Sequence, residues 1–327
     1  MKYKLLVLLA LLGITSHVFA LESSPTIRYY NYVVYAPSGA QGLPYVRYTS
    51  SQPVQYDSPV FNSYGNGSIS STPNWNVGDF TGLNIPANLS SNFEKSYYSG
   101  WYGSSAVQAY GSYIGMHIYT YSSVNDPRSL KTINYGIDFS NNWKIKPWSS
   151  FGSNAQYCVT NSAAIPNFYT AEGAIGYLIS RVSFRDEVTG KNIIFGAVIW
   201  DSRPVQQGEW MFYDSDWSGA TNSMVANSVY RRGTNYITLI NNSSITQAAT
   251  NWGDDRWYGY CITANNIYNI KNKLEAEGKS LDIEPSRLVV TSTGFEFEMA
   301  TEINNQIKNG WMSSRLGDFS IFIRYSY

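Results

Sequence analysis

The sequence predicts an all-β protein: an antiparallel sandwich or jelly roll with one short helix near 266–277. Three observations carry this. Strand-like runs recur along the chain, while one segment alone has a convincing helical pattern. Tyr, Phe and Trp make up 16% of the 327 residues, a composition that suits strands and stacking surfaces. The segment Ala174–Arg203 reads as a β-hairpin.

Taken in order, Met1–Ala20 has the layout of a secretory signal peptide. Lys2 and Lys4 form a positive start, Leu5–Gly13 is an apolar run, and Val18-Phe19-Ala20 supplies a cleavage site. The apolar run is shorter than the ~20 residues needed to span a bilayer. The expected mature chain is a single sandwich domain over 21–327, secreted or periplasmic. Pro25, Pro37, Pro44, Pro53, Pro59, Pro73 and Pro86 break its start into long loops around short runs such as Arg28–Tyr35. Asn62–Thr72 reads as a turn cluster.

Strand signals strengthen from about Tyr110. Tyr113–Tyr121 is rich in Tyr and Ile, and Thr132–Phe139 alternates around Ile133, Tyr135, Ile137 and Phe139. In the hairpin, Ile175–Phe184 and Asn192–Trp200 flank a turn, Arg185–Lys191, that contains Gly190. The near-continuous apolar run of the second strand implies burial on both faces. Further strands are expected at Glu209–Tyr213, Tyr236–Ile240, Trp257–Thr263, Arg287–Thr293, Phe295–Met299 and Phe319–Tyr325. The helix is capped by Asn265 or Asn266, lined by Ile267, Ile270 and Leu274, and stopped by Gly278.

Charge excludes some functions. Removing Lys2 and Lys4 from a balanced 23 bases and 23 acids leaves a small acidic excess, with no field for nucleic acid or anionic membrane. Of the two histidines, His17 lies in the signal segment, so a multi-histidine metal site is excluded. His117 reads as a structural residue. Cys158 and Cys261 form the default disulfide of an exported chain.

Four features have chemical potential. Asp214, Asp216 and Ser218, followed by Gly219, place oxygens at alternate positions that can wrap a hard cation such as Ca²⁺. Val225 occupies the place of the EF-hand glutamate, so an EF-hand is rejected, and an ordinary turn is the alternative. Glu296 and Glu298 share one face of a strand, ~6.5–7 Å apart along it, a spacing that permits a glycosidase pair. Any amphipathic strand with a wet face reads the same way. Arg203 follows Asp201 at a strand exit, where it can clamp a ligand or pair locally with its neighbour. Trp252, Asp254, Asp255 and Trp257 combine flat rings with hydroxyl-binding groups, as sugar recognition does, or form a surface loop with rings tucked inward.

The hairpin RVSFRDEVTGKNIIFGAVIWDSR, the helix after it, the Arg287–Met299 segment and the final GDFSIFIRYSY resemble secreted concanavalin-A-like sandwiches. The resemblance covers the C-terminal half and concerns fold. It implies two curved sheets and a concave face of the kind that binds glycans. The acid-x-acid-x-x-acid spacing of one glucanase group on that fold is absent, because Thr301 follows where the third acid belongs. No catalytic role is carried over. The resulting expectation is a carbohydrate-binding sandwich without catalysis. The alternatives are a glycan hydrolase or lyase using Glu296 and Glu298, and a cell-surface or host-interaction protein. The oligomeric state is left open.

Overall fold

A computed structural model describes residues 29–36, 60–61, 74–78, 98–102, 105–110, 113–120, 130–139, 145–170, 175–203, 208–213, 223–229, 235–240, 255–300, 302–303, 306–307 and 310–326. In chain order the strands begin with β1 (Tyr29–Ala36), β2 (Val60–Phe61), β3 (Asn74–Gly78), β4 (Tyr98–Tyr102), β5 (Ser105–Tyr110), β6 (Tyr113–Thr120) and β7 (Leu130–Asp138). A short helix α1 (Pro147–Phe151) precedes β8 (Gln156–Thr170), β9 (Ile175–Asp186), β10 (Asn192–Asp201), β11 (Glu209–Tyr213), β12 (Ser223–Val229), β13 (Thr238–Leu239) and β14 (Arg256–Thr263). Helix α2 (Ala264–Ala276) leads through a single 3₁₀ turn (Pro285–Arg287) into β15 (Leu288–Ala300). The chain closes with β16 (Glu302–Ile303), β17 (Gln306–Ile307) and β18 (Gly310–Ser326).

Two sheets form the sandwich. One runs β13-β14-β8-β18-β6-β5-β4, with β1 joined to the far half of the long β18 and β2 joined to β1. The other runs β11-β12-β10-β9-β15-β7-β3. Alternation assigns the faces. Phe295, Phe297 and Met299 of β15, Leu178 and Val182 of β9, and Ile133 and Ile137 of β7 bury in one core. Tyr157, Val159, Tyr258, Tyr260 and Ile321 meet them from the other sheet. The Tyr157 and Tyr260 hydroxyls are bonded across the sandwich. Tyr157 lies 2.7 Å from Thr293 Oγ1 and Tyr260 lies 2.9 Å from Ser180 Oγ, so burying these phenols leaves neither donor empty.

The expected hairpin is β9–β10, with a register that shifts only between Val198 and Trp200. Its turn closes on Gly190 at φ 71°, a left-handed conformation that favours glycine. The second strand is buried on both faces from Phe195 to Asp201. One departure from antiparallel pairing lies beside it. β12 runs parallel to β10, because the chain first reaches the sheet edge as β11 and then turns back between the two.

Several boundaries differ from the sequence reading. Arg287–Thr293 and Phe295–Met299 are one strand, β15, which continues through Gly294. A Cβ on Gly294 would lie 2.3 Å from the Tyr135 carbonyl oxygen, so this glycine permits close approach to β7 instead of ending the strand. The last strand starts at Gly310, nine residues before Phe319, and the Tyr236–Ile240 run pairs only over Thr238–Leu239. β8 carries a weak strand signal, because Asn161, Ser162 and Pro166 interrupt its apolar pattern. Pro166 falls where the β8–β18 register shifts between Ala164 and Asn167, a bulge where its missing N–H does no harm.

Helix α2 buries Ile267, Ile270 and Leu274 as expected. Its cap is Thr263 rather than Asn265 or Asn266. Thr263 Oγ1 accepts from the Asn266 backbone N–H, and Asn266 Oδ1 accepts from that of Thr263. Gly278 stops the helix at φ 71°, with Gly278 N–H donating to Glu275 O and Lys279 N–H to Leu274 O. Among the described residues, no helix is long and apolar enough to cross a membrane.

Candidate functional site

The Glu296–Glu298 pair stands where the strand period puts it, on the face of β15 opposite Phe295, Phe297 and Met299. Register defines the neighbours. Glu296 pairs with Asn134 of β7 and Ile179 of β9, and Glu298 pairs with Thr132 and Tyr177. One step along, Arg181 of β9 lies between Gly294 and Gly196, and Gly196 pairs with Asn227 of β12. Arg181 Nε donates to Glu296 Oε2, and its Nη1 donates to Asn227 Oδ1 at 2.9 Å. The Arg181 and Glu296 side chains are 19% and 14% exposed, so the pair is recessed but within reach of solvent.

The two carboxyls differ in charge. Burial would raise Glu296, but the Arg181 charge and the hydrogen bonds from Glu298 and Arg181 hold it below the usual carboxylate range. Glu298 is pushed up to about 9, by burial first, then by the Glu296 charge and its hydrogen bond, with Arg181 opposing. Their surroundings thus favour the ionised form of Glu296 and the protonated form of Glu298. This has a stability consequence. A carboxyl raised in the folded state contributes stability that is complete below its ordinary 4.5 and lost as pH rises through about 9. Wild-type stability is expected to decline across that window in urea titrations at several pH values. Glu298→Gln should flatten the decline, and an unchanged slope in that variant would refute the assignment.

Tyr177 and Arg203 border the pair. The Arg203 guanidinium carbon sits 5.0 Å from the Tyr177 ring centroid. Arg203 also donates from Nε and Nη2 to the buried Asp201 carboxylate, with the Nη2 bond at 2.7 Å. Burial raises the Tyr177 phenol, the Arg203 charge lowers it, and Asp201 and Glu298 raise it further. Arg203 is thus mainly a local partner of Asp201, yet it lies on the same face as Glu298.

The other sequence candidates lie elsewhere. Trp257 is on β14, on the side opposite the core-facing Tyr258 and Tyr260, and its ring lies over Gly259. Asp255 pairs with Arg315 at 3.1 Å on that same outer side. These residues decorate the far sheet and do not meet Glu296 and Glu298. Trp252, Asp254, Asp214, Asp216 and Ser218 lie outside the described residues. Among the described residues no group of three His, Cys, Asp or Glu could hold a metal ion. Cys158 and Cys261 are disulfide-bonded across β8 and β14, packed with Phe322. His117 Nδ1 lies 2.8 Å from Ser313 Oγ, and burial lowers its pKa.

Arg181, Asn227, Tyr177 and Gly196 escaped sequence reasoning. The one available signal was Arg181, a charge alternating with buried Leu178, Ser180 and Val182 in a strand. Its acidic partner is more than a hundred residues away, and only strand pairing brings them together.

No protein-family model matches the sequence, and no curated protein matches it. Solved structures similar to this chain include the family 11 xylanase from Neocallimastix patriciarum, at 10% identity and TM-score 0.31, covering 70% of this chain and 95% of that one. Endoglucanase Cel12A from Rhodothermus marinus is similar at 10% identity and TM-score 0.32, covering 70% and 89%. At these values the likeness carries no argument about activity.

Proposed function

We propose that this chain is a secreted, non-catalytic carbohydrate-binding sandwich whose site is the outer face of the seven-stranded sheet around Glu296 and Glu298. The observation that carries the reading is the row Tyr177, Glu298, Glu296, Arg181, Asn227. It sets an aromatic ring beside alternating hydrogen-bond donors and acceptors on one recessed face. A sugar offers the matching chemistry: apolar C–H faces for the ring and hydroxyls for the polar groups. The signal-peptide layout and the disulfide support export. The lack of catalysis is argued from the carboxyls. Glu296, which a glycosidase mechanism would need free to act as base or nucleophile, is instead engaged by the Arg181 guanidinium.

Titration calorimetry with a panel of neutral oligosaccharides tests this. Saturable binding is expected, weakened about tenfold or more in Tyr177→Ala, roughly the 1.4 kcal/mol that a stacked ring contributes. A panel without any binder sinks the reading. A second reading, glycan hydrolysis, is favoured by one observation: the environments drive the two carboxyls to opposite protonation states, as in an acid and its partner. Release of reducing ends from polysaccharide, abolished in Glu298→Gln, would establish it over the first.

A further inference from the structure

We propose that Asn227 is a positioning residue for this face: it holds the Arg181 guanidinium against Glu296 rather than Glu298, so that the two adjacent carboxyls stand in unequal surroundings. The proposal stands independently of the carbohydrate-binding reading.

The argument begins with two glycines. Arg181 has Gly294 on one neighbouring strand and Gly196 on the other, so its side chain can lie sideways across the sheet. A Cβ on Gly196 would lie 2.0 Å from Asn227 Oδ1 and 3.1 Å from Arg181 Nη1. The Asn227–Arg181 bond therefore runs through the space that a side chain at position 196 would fill. Asn227 is 2% exposed. Its amide oxygen accepts from Nη1 without offering a competing charge, so the guanidinium is steadied while its charge stays available to Glu296. An aspartate in its place would draw that charge away.

The groups facing Glu298 are then few. Glu296 lies on its own strand, Arg181 and Tyr177 on β9, and Thr132 on β7, with the Asp201–Arg203 pair beyond Tyr177. Among these groups, the Arg181 guanidinium stands beside two carboxyls, and it is held between Glu296 at Nε and Asn227 at Nη1. Burial and the neighbouring Glu296 charge favour the protonated form of Glu298, whose one O–H then donates to Glu296.

The test is a ligand-free titration of glutamate side-chain carboxyls by ¹³C NMR, in wild type, Asn227→Ala, Asn227→Asp and Gly196→Ala. Wild type should show one carboxyl titrating below the usual range and one near pH 9. In Asn227→Asp the lower step should rise by about one pH unit as Arg181 is shared. Gly196→Ala should move it the same way by displacing Asn227. Circular dichroism separates these effects from unfolding. Folded Asn227 variants that titrate like wild type would overturn the proposal. If the variants do not fold, the wild-type titration decides alone: both carboxyls ionising together below pH 5 overturns it. Shifted titration with no oligosaccharide binding would remove the binding reading and leave the Asn227–Arg181 relay standing.

Discussion

Asp186→Asn is expected to cost about 2–3 kcal/mol of stability, the upper part of the range for leaving a buried hydrogen-bonding group unsatisfied. Asp186 ends β9, and its side chain is wholly buried. Oδ1 accepts from the Val188 and Thr189 backbone N–H groups at 2.9 and 3.0 Å, which folds the hairpin turn. Oδ2 accepts from the Glu284 N–H at 3.1 Å and from Arg287 Nε at 2.8 Å, which docks the entry to β15 onto that turn. One carboxylate thus ties together β9, β10 and β15, the strands that form the candidate site. An amide would turn a donor toward N–H donors, while Arg287 would keep its second partner, Asp282, at 2.7 Å. Burial alone would raise the Asp186 carboxyl; the hydrogen bonds from Thr189, Val188, Arg287 and Glu284 outweigh it and hold the pKa below the ordinary carboxylate value. The sign follows: its stabilisation is present above the unfolded-state value and is lost as pH falls through the lower folded value. Urea midpoints at neutral pH measure the cost. A loss under about 1 kcal/mol would show that the turn holds without the carboxylate.

Removal of the disulfide is the second large effect. Cys158 and Cys261 are separated by 103 residues. Closing a loop of that size stabilises by about 4–5 kcal/mol in the chain-entropy model, and native bridges commonly contribute ~2–5. Cys158→Ala with Cys261→Ala should lower the urea midpoint accordingly. Both cysteines are at most 1% exposed, so reductant should reach the bridge only through opening of β8 from β14. Reduced wild type and the double variant should then share one midpoint. A double variant as stable as the oxidised protein would contradict the loop argument.

Much of the architecture was legible because periodicity is a local property. The β9–β10 hairpin, the Ile133–Phe139 alternation, the buried face of α2 and the shared face of Glu296 and Glu298 all follow from spacing along one segment. β8 was illegible because its polar and proline residues are tolerated only by the neighbouring strands and a bulge. Residue chemistry at the site divides the same way. That two glutamates sit on one side of a strand is written in the sequence. That their surroundings differ depends on Arg181, which β9 places against Glu296, and on the burial that raises Glu298.

The sequence by itself determined the all-β class, the main hairpin, the helix with its glycine stop, and the cysteine pair available for bridging. Tertiary structure alone decided which candidates meet. It separated Trp257 and Asp255, on the far sheet, from the Glu pair, and it gathered Arg181, Asn227 and Tyr177 around that pair. The reason is physical. A strand's period fixes the side to which a residue points, but its neighbours are chosen by strand order and register, which are set by packing across the whole sandwich.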